Sequence, residues 1–128
     1  MFLFTRFSGK VVSGYKVDRD NKWSLIGKKD PRLPQMFYPI ADELLTLTKG
    51  DTVAARCTMV NDRDRPTYIG ATKEDEMCNF YMMYWVDGEE KLGNERCSSV
   101  GPPVYAWDRW IVGGGLRNIP DAEASSLL

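Results

Sequence analysis

The chain reads as an all-β protein, an antiparallel β-sandwich, on three observations. Its apolar residues fall in short runs rich in β-branched and aromatic side chains, Gly, Pro, Asn and Asp turns separate those runs, and several runs alternate with a period of two. Spacing of this kind suits two packed sheets better than a helical bundle. With 128 residues, 43% of them hydrophobic and 12% aromatic, the chain can fill one core and has no room for a second.

The elements follow in order. Residues 10–17 and 23–27 are two strand-like runs joined by Asp18-Arg19-Asp20-Asn21-Lys22, which reads as a hairpin with a polar loop. Residues 28–34, with Asp30-Pro31 inside them, read as a loop, and Pro39 confines the Phe37-Tyr38 neighbourhood to an edge or a corner because proline has no N–H to give a ladder. Leu45-Thr46-Leu47-Thr48 alternates as a strand does, Lys49-Gly50-Asp51 turns, and residues 52–60 form a further strand before the charged turn 61–65.

Residues 77–86 fit two templates. Met77, Phe80, Tyr81 and Tyr84 share a helical stripe, but the aromatic content and the closing Asp87-Gly88 turn favour a strand. As a strand it places Met77, Asn79, Tyr81 and Met83 on one face and Cys78, Phe80, Met82 and Tyr84 on the other, the second set pointing into the core.

Charge excludes some functions. Seventeen basic residues stand against 18 acidic ones for a net charge of −1, so there is no field to gather nucleic acid or anionic lipid. The segment 1–7 is apolar but is cut by Arg6 and lacks a small-residue cleavage site, so it does not read as a signal peptide. No apolar run approaches the ~20 residues of a membrane-spanning helix. Cys57, Cys78 and Cys97 make an odd number, and spacing alone fits three reduced thiols as well as one bridge and a leftover.

Met77 is the residue with the sharpest chemistry. A thioether is a soft donor suited to Cu(I), although methionine serves far more often as a filler of irregular core space. The chain contains no histidine at all, so a copper site here has lost the imidazoles that usually accompany a thioether.

Five ordered blocks carry a resemblance. They are residues 9–15 (Gly-Lys-Val-Val-Ser-Gly-Tyr), 23–27 (Trp-Ser-Leu-Ile-Gly), Leu33-Pro34-Gln35 with Phe37-Tyr38-Pro39, Gly50-Asp51 with Ala54-Ala55-Arg56-Cys57, and Asp75-Glu76-Met77-Cys78-Asn79. Together they resemble the C-terminal catalytic domain of the copper type II, ascorbate-dependent monooxygenases, in the branch that hydroxylates peptidylglycine. The resemblance implies a sandwich of jelly-roll type over residues 9–120, with residues 1–8 a non-matching extension and 121–128 a tail.

It also implies an activity and a site. The parent enzyme hydroxylates the α carbon of a C-terminal glycine in a glycine-extended peptide, the first step of peptide amidation, in the secretory pathway or outside the cell, with ascorbate as reductant. By resemblance Met77 is the thioether ligand of the catalytic copper, Asn79 and Tyr81 bind the peptide, Met83 lines an apolar part of its pocket, Cys57 pairs with Cys78, and Cys97 is left unpaired. The family's remaining ligands to this copper are a His-x-His pair, and the corresponding residues here are Phe4-Thr5-Arg6. Its preceding copper domain has no counterpart in the chain. Tyr68 stands where the family often has histidine, and the match fades over residues 98–117, for which no role is apparent. The expectation is therefore a C-terminal piece of a copper monooxygenase that is inactive alone. The alternatives are a peptide-binding domain without chemistry and a structural sandwich.

Overall fold

The structure is a computed structural model that describes residues 1–5, 8–88, 93–101, 104–110 and 114–128, with residues 2–4 described by their backbone. Five strands and one short helix are present among them: β1 Phe2–Thr5, β2 Gly9–Val17, β3 Trp23–Lys29, β4 Thr52–Met59, β5 Cys78–Tyr81 and α1 Asp121–Ala124. All strand pairing within the sheets is antiparallel, in a three-stranded sheet of order β3-β2-β4 and a two-stranded sheet of order β1-β5. The all-β reading holds.

β2 is the centre of the larger sheet, and its two faces bury different things. Val11, Ser13, Tyr15 and Val17 lie on one face and are all buried. The C-terminal segment covers that face: Ser13 Oγ donates to the Ala124 carbonyl at 2.9 Å, Tyr15 Oη to Glu123 Oε1 at 3.4 Å, and Arg56, opposite Ser13 on β4, pairs with Asp121 at 2.6 Å. Lys28, opposite Ser13 on β3, donates to the carbonyls of Glu123 and Leu128. Trp23 stacks edge-on against Tyr15 with ring centroids 5.6 Å apart.

The other face of β2 receives the smaller sheet. Val12 is fully buried in a cluster with Met1, against which Tyr38, Ile40, Cys57 and Phe80 pack. Two glycines make this approach possible. The Phe80 ring occupies the space a Cβ on Gly14 would need, and the Met1 side chain does the same at Gly27, the residue paired with Gly14. The disulfide Cys57–Cys78 then fastens β4 to β5 with Cα atoms 5.8 Å apart, which establishes the pairing that the resemblance implied.

Three local differences from the sequence reading have physical causes. The amino-terminal residues form β1, held by the pairing of Phe2 with Tyr81 and Thr5 with Cys78 and by reciprocal hydrogen bonds between Met1 and Tyr38. β5 is four residues long where a strand over 77–86 was expected, because β1 offers no partner beyond Phe2. Leu45–Thr48 is not a strand: Asp42 caps a turn through Leu44 and Leu45, and Asp51 closes a second turn onto Thr48, taking up the backbone groups a ladder would need.

Residues 83–119 form a separate compact unit. Its described part contains turns and no strand or helix; Leu116 N–H donates to the Trp107 carbonyl at 2.8 Å, and Tyr84 Oη to Glu95 at 3.0 Å. Cys97 in this unit is an exposed free thiol.

Candidate functional site

The candidate site is the outward side of the β1-β5 sheet. β5 turns Phe80 into the core, so by strand alternation Asn79 and Tyr81 project from the opposite side. Met77, immediately before β5, joins them: Asn79 Nδ2 lies 4.0 Å from Met77 Sδ, which fixes both side chains on one side. Met77 and Asn79 are half-buried and Tyr81 is 50% exposed. Met77 and Asn79 thus come together, and Tyr81 shares their side of the strand by alternation.

Met83 follows the end of β5 and is exposed. The expected inward set is also shorter than the sequence suggested. Phe80 enters the core as expected, but residue 78 is exposed overall although its sulfur is bonded to Cys57, and Tyr84, past the strand, is exposed.

Glu76 was not singled out in the sequence, yet it organises the entry to β5. The residue is 4% exposed, and its carboxylate accepts from Ser8 N–H at 2.8 Å, Ser8 Oγ at 2.6 Å and Met77 N–H at 3.0 Å. Its backbone bridges to residues 68–70, donating to the Tyr68 carbonyl and accepting from Gly70 N–H. A buried carboxylate with several donors is held in place by charge-assisted hydrogen bonds, which are stronger than neutral ones.

Phe4 is the partner of Asn79 and Thr5 of Cys78, so the described part of the segment that the resemblance sets against a His-x-His pair lies opposite β5. Here that segment is Phe4-Thr5-Arg6, of which Arg6 lies outside the described residues. The residues present do not fit copper. The chain has no imidazole, no three His, Cys, Asp or Glu side chains among the described residues gather as a metal-holding group, and the neighbour of the Met77 sulfur is an amide N–H, which cannot be a ligand.

The chain belongs to the copper type II ascorbate-dependent monooxygenases, matching the model of their C-terminal domain over residues 1–110. It is 44% identical over 103 residues to the peptidylglycine alpha-amidating monooxygenase of Rattus norvegicus, covering 79% of this chain and 10% of that protein. To the peptidyl-glycine alpha-amidating monooxygenase A of Xenopus laevis it is 45% identical over 96 residues, 74% of this chain and 10% of the relative. The chain therefore spans about a tenth of the length of these curated relatives.

Proposed function

We propose that this chain is the peptide-receiving C-terminal domain of a peptidylglycine monooxygenase, and that it does not itself hold the copper. The reaction assigned to the whole enzyme is hydroxylation at the α carbon of a C-terminal glycine, with copper and ascorbate, on glycine-extended peptides. The observation that carries this reading is the shared outward side of Met77, Asn79 and Tyr81 on a strand fixed by a disulfide, in a chain without histidine. An amide and a phenol are few but well-placed polar groups, which suit a peptide main chain and its carboxylate. Met83 is proposed as an apolar substrate contact on the resemblance alone.

Met77 supplies one soft donor, and a single thioether does not hold copper against ordinary competitors. The preceding copper domain of the family is the partner that the activity requires. The Cys57–Cys78 bridge supports an oxidising compartment, the secretory pathway or the outside of the cell. Among the described residues no helix is long and apolar enough to cross a membrane.

Peptide binding tests the reading. The purified chain is expected to bind a glycine-terminated apolar peptide and to bind it more weakly in Asn79→Ala and Tyr81→Phe. With added Cu(I) and ascorbate it is expected to hydroxylate nothing. Binding unaffected by either substitution, or turnover by the chain alone, contradicts the proposal.

A further inference from the structure

We propose that Glu76 is a positioning residue for the peptide-binding side of β5, its buried carboxylate tying Met77 to Ser8 and so setting where Asn79 stands against β1. The inference rests on the peptide-binding reading above but concerns a residue outside the site already described.

The geometry has three parts. One carboxylate oxygen, Oε2, takes both donors of Ser8, its N–H and its hydroxyl, while the other, Oε1, takes the N–H of Met77. Ser8 stands between β1 and β2, and its own carbonyl accepts from Val60 N–H at 2.9 Å at the end of β4. The backbone of Glu76 is anchored on its far side to residues 68–70. The Glu76 side chain therefore joins the β1–β2 connection to the first residue of the site, and the Ser8 carbonyl carries that link on to Val60, just after β4.

Its effect on the site is directional. β5 has only four residues, and Met77 lies outside its ladder, so strand pairing alone does not fix the backbone at 77. Glu76 supplies that missing constraint. Because residue 77 leads directly into β5, displacing its backbone displaces the start of the strand that carries the Asn79 amide on which peptide recognition depends. The disulfide at Cys78 fastens the sheet to β4 but leaves the preceding residue to Glu76. Burial explains why this works as a fixed strut, since an exposed carboxylate would exchange these donors for water.

Glu76→Gln tests it, because the amide keeps the shape and one acceptor oxygen but turns the other atom into a donor facing a donor. The readouts are near-UV circular dichroism and the Cys57–Cys78 bridge for the fold, backbone amide chemical shifts of residues 8 and 77–81 for position, and the Kd of a glycine-terminated apolar dipeptide for function. The expected result is a folded protein with its bridge intact, displaced amide resonances confined to residue 8 and residues 77–81, and a Kd raised about tenfold, the size expected when the displaced Asn79 amide loses its one hydrogen bond to the peptide. Ser8→Ala, which removes only the hydroxyl donor, is expected to move the same resonances less. Should Glu76→Gln not fold, Ser8→Ala decides the matter by the same readouts. A folded variant whose resonances at 77–79 and whose Kd match wild type overturns the inference. If the wild type binds no peptide, the peptide-binding reading is what fails, and the amide resonances alone still decide whether Glu76 positions residues 77–79.

Discussion

Asn79 directs its side-chain amide at the sulfur of Met77, Nδ2 to Sδ 4.0 Å. A thioether is only a weak acceptor, so the contact orients the amide without holding it tightly. The two residues should therefore respond differently to mutation. Met77→Leu conserves volume, and its cost is expected to stay below about 1.5 kcal/mol in urea unfolding, with peptide affinity close to wild type. Asn79→Ala is expected to leave the unfolding midpoint near wild type and weaken peptide binding about tenfold by calorimetry, the loss of one well-placed hydrogen bond. Equal effects of the two substitutions on affinity would contradict this division.

Gly14 is tested by a single methyl group. The Phe80 ring fills the space above it, so Gly14→Ala must push the smaller sheet away from β2 or force Phe80 from its rotamer. Overpacking of this kind is expected to cost about 1–3 kcal/mol, measured as a lowered urea midpoint. Phe80→Leu combined with Gly14→Ala should recover part of the loss, because the smaller side chain makes room for the methyl.

The Cys57–Cys78 bridge closes a loop of sequence separation 21 and links the two sheets. Replacing both cysteines by serine is expected to cost about 3 kcal/mol in the chain-entropy model, seen as a lower melting temperature that reductant no longer changes. Cys97 is exposed and free, so Cys97→Ser should leave stability unaltered while abolishing any disulfide-linked dimer seen on a non-reducing gel.

Tyr15 gives a pH signature on the helix-covered side of β2. Burial, and then the negative Glu123, push its phenol up from 10.0 to about 12. The folded state thus keeps the proton longer than the unfolded chain does. Its contribution to stability is present in full below pH 10 and is lost as pH rises through 10 towards 12. Phenolate absorbance of wild type minus Tyr15→Phe should show one group titrating late, and Glu123→Gln should bring it down. A Tyr15 that ionises at its ordinary value would show that the C-terminal segment does not cover it.

Much of the larger sheet was legible in the sequence, because β2, β3 and β4 each carry their own strand residues and turn signals. Val11, Tyr15 and Val17 alternate, and the Asp18–Lys22 loop closes the hairpin on itself, with Asp18 accepting from the N–H groups of Asp20 and Lys22. β1 was not legible, since its strand character comes from pairing with a segment more than seventy residues away. The same non-local dependence shortened β5, whose apolar residues past Tyr81 look like strand but have no partner in β1. Met77, Asn79 and Tyr81 were readable as a row by period two and by resemblance. Glu76 was not, because nothing in its local sequence says that its carboxylate is buried against Ser8.

The central claim is that this domain keeps a monooxygenase framework and its peptide-facing strand without a copper site of its own. Anaerobic Cu(I) titration against a competing chelator, on the wild type and on Met77→Leu, tests it most directly. No stoichiometric copper is expected on either protein, and the two titration curves are expected to be identical. Stoichiometric copper on the wild type that disappears in Met77→Leu would contradict it.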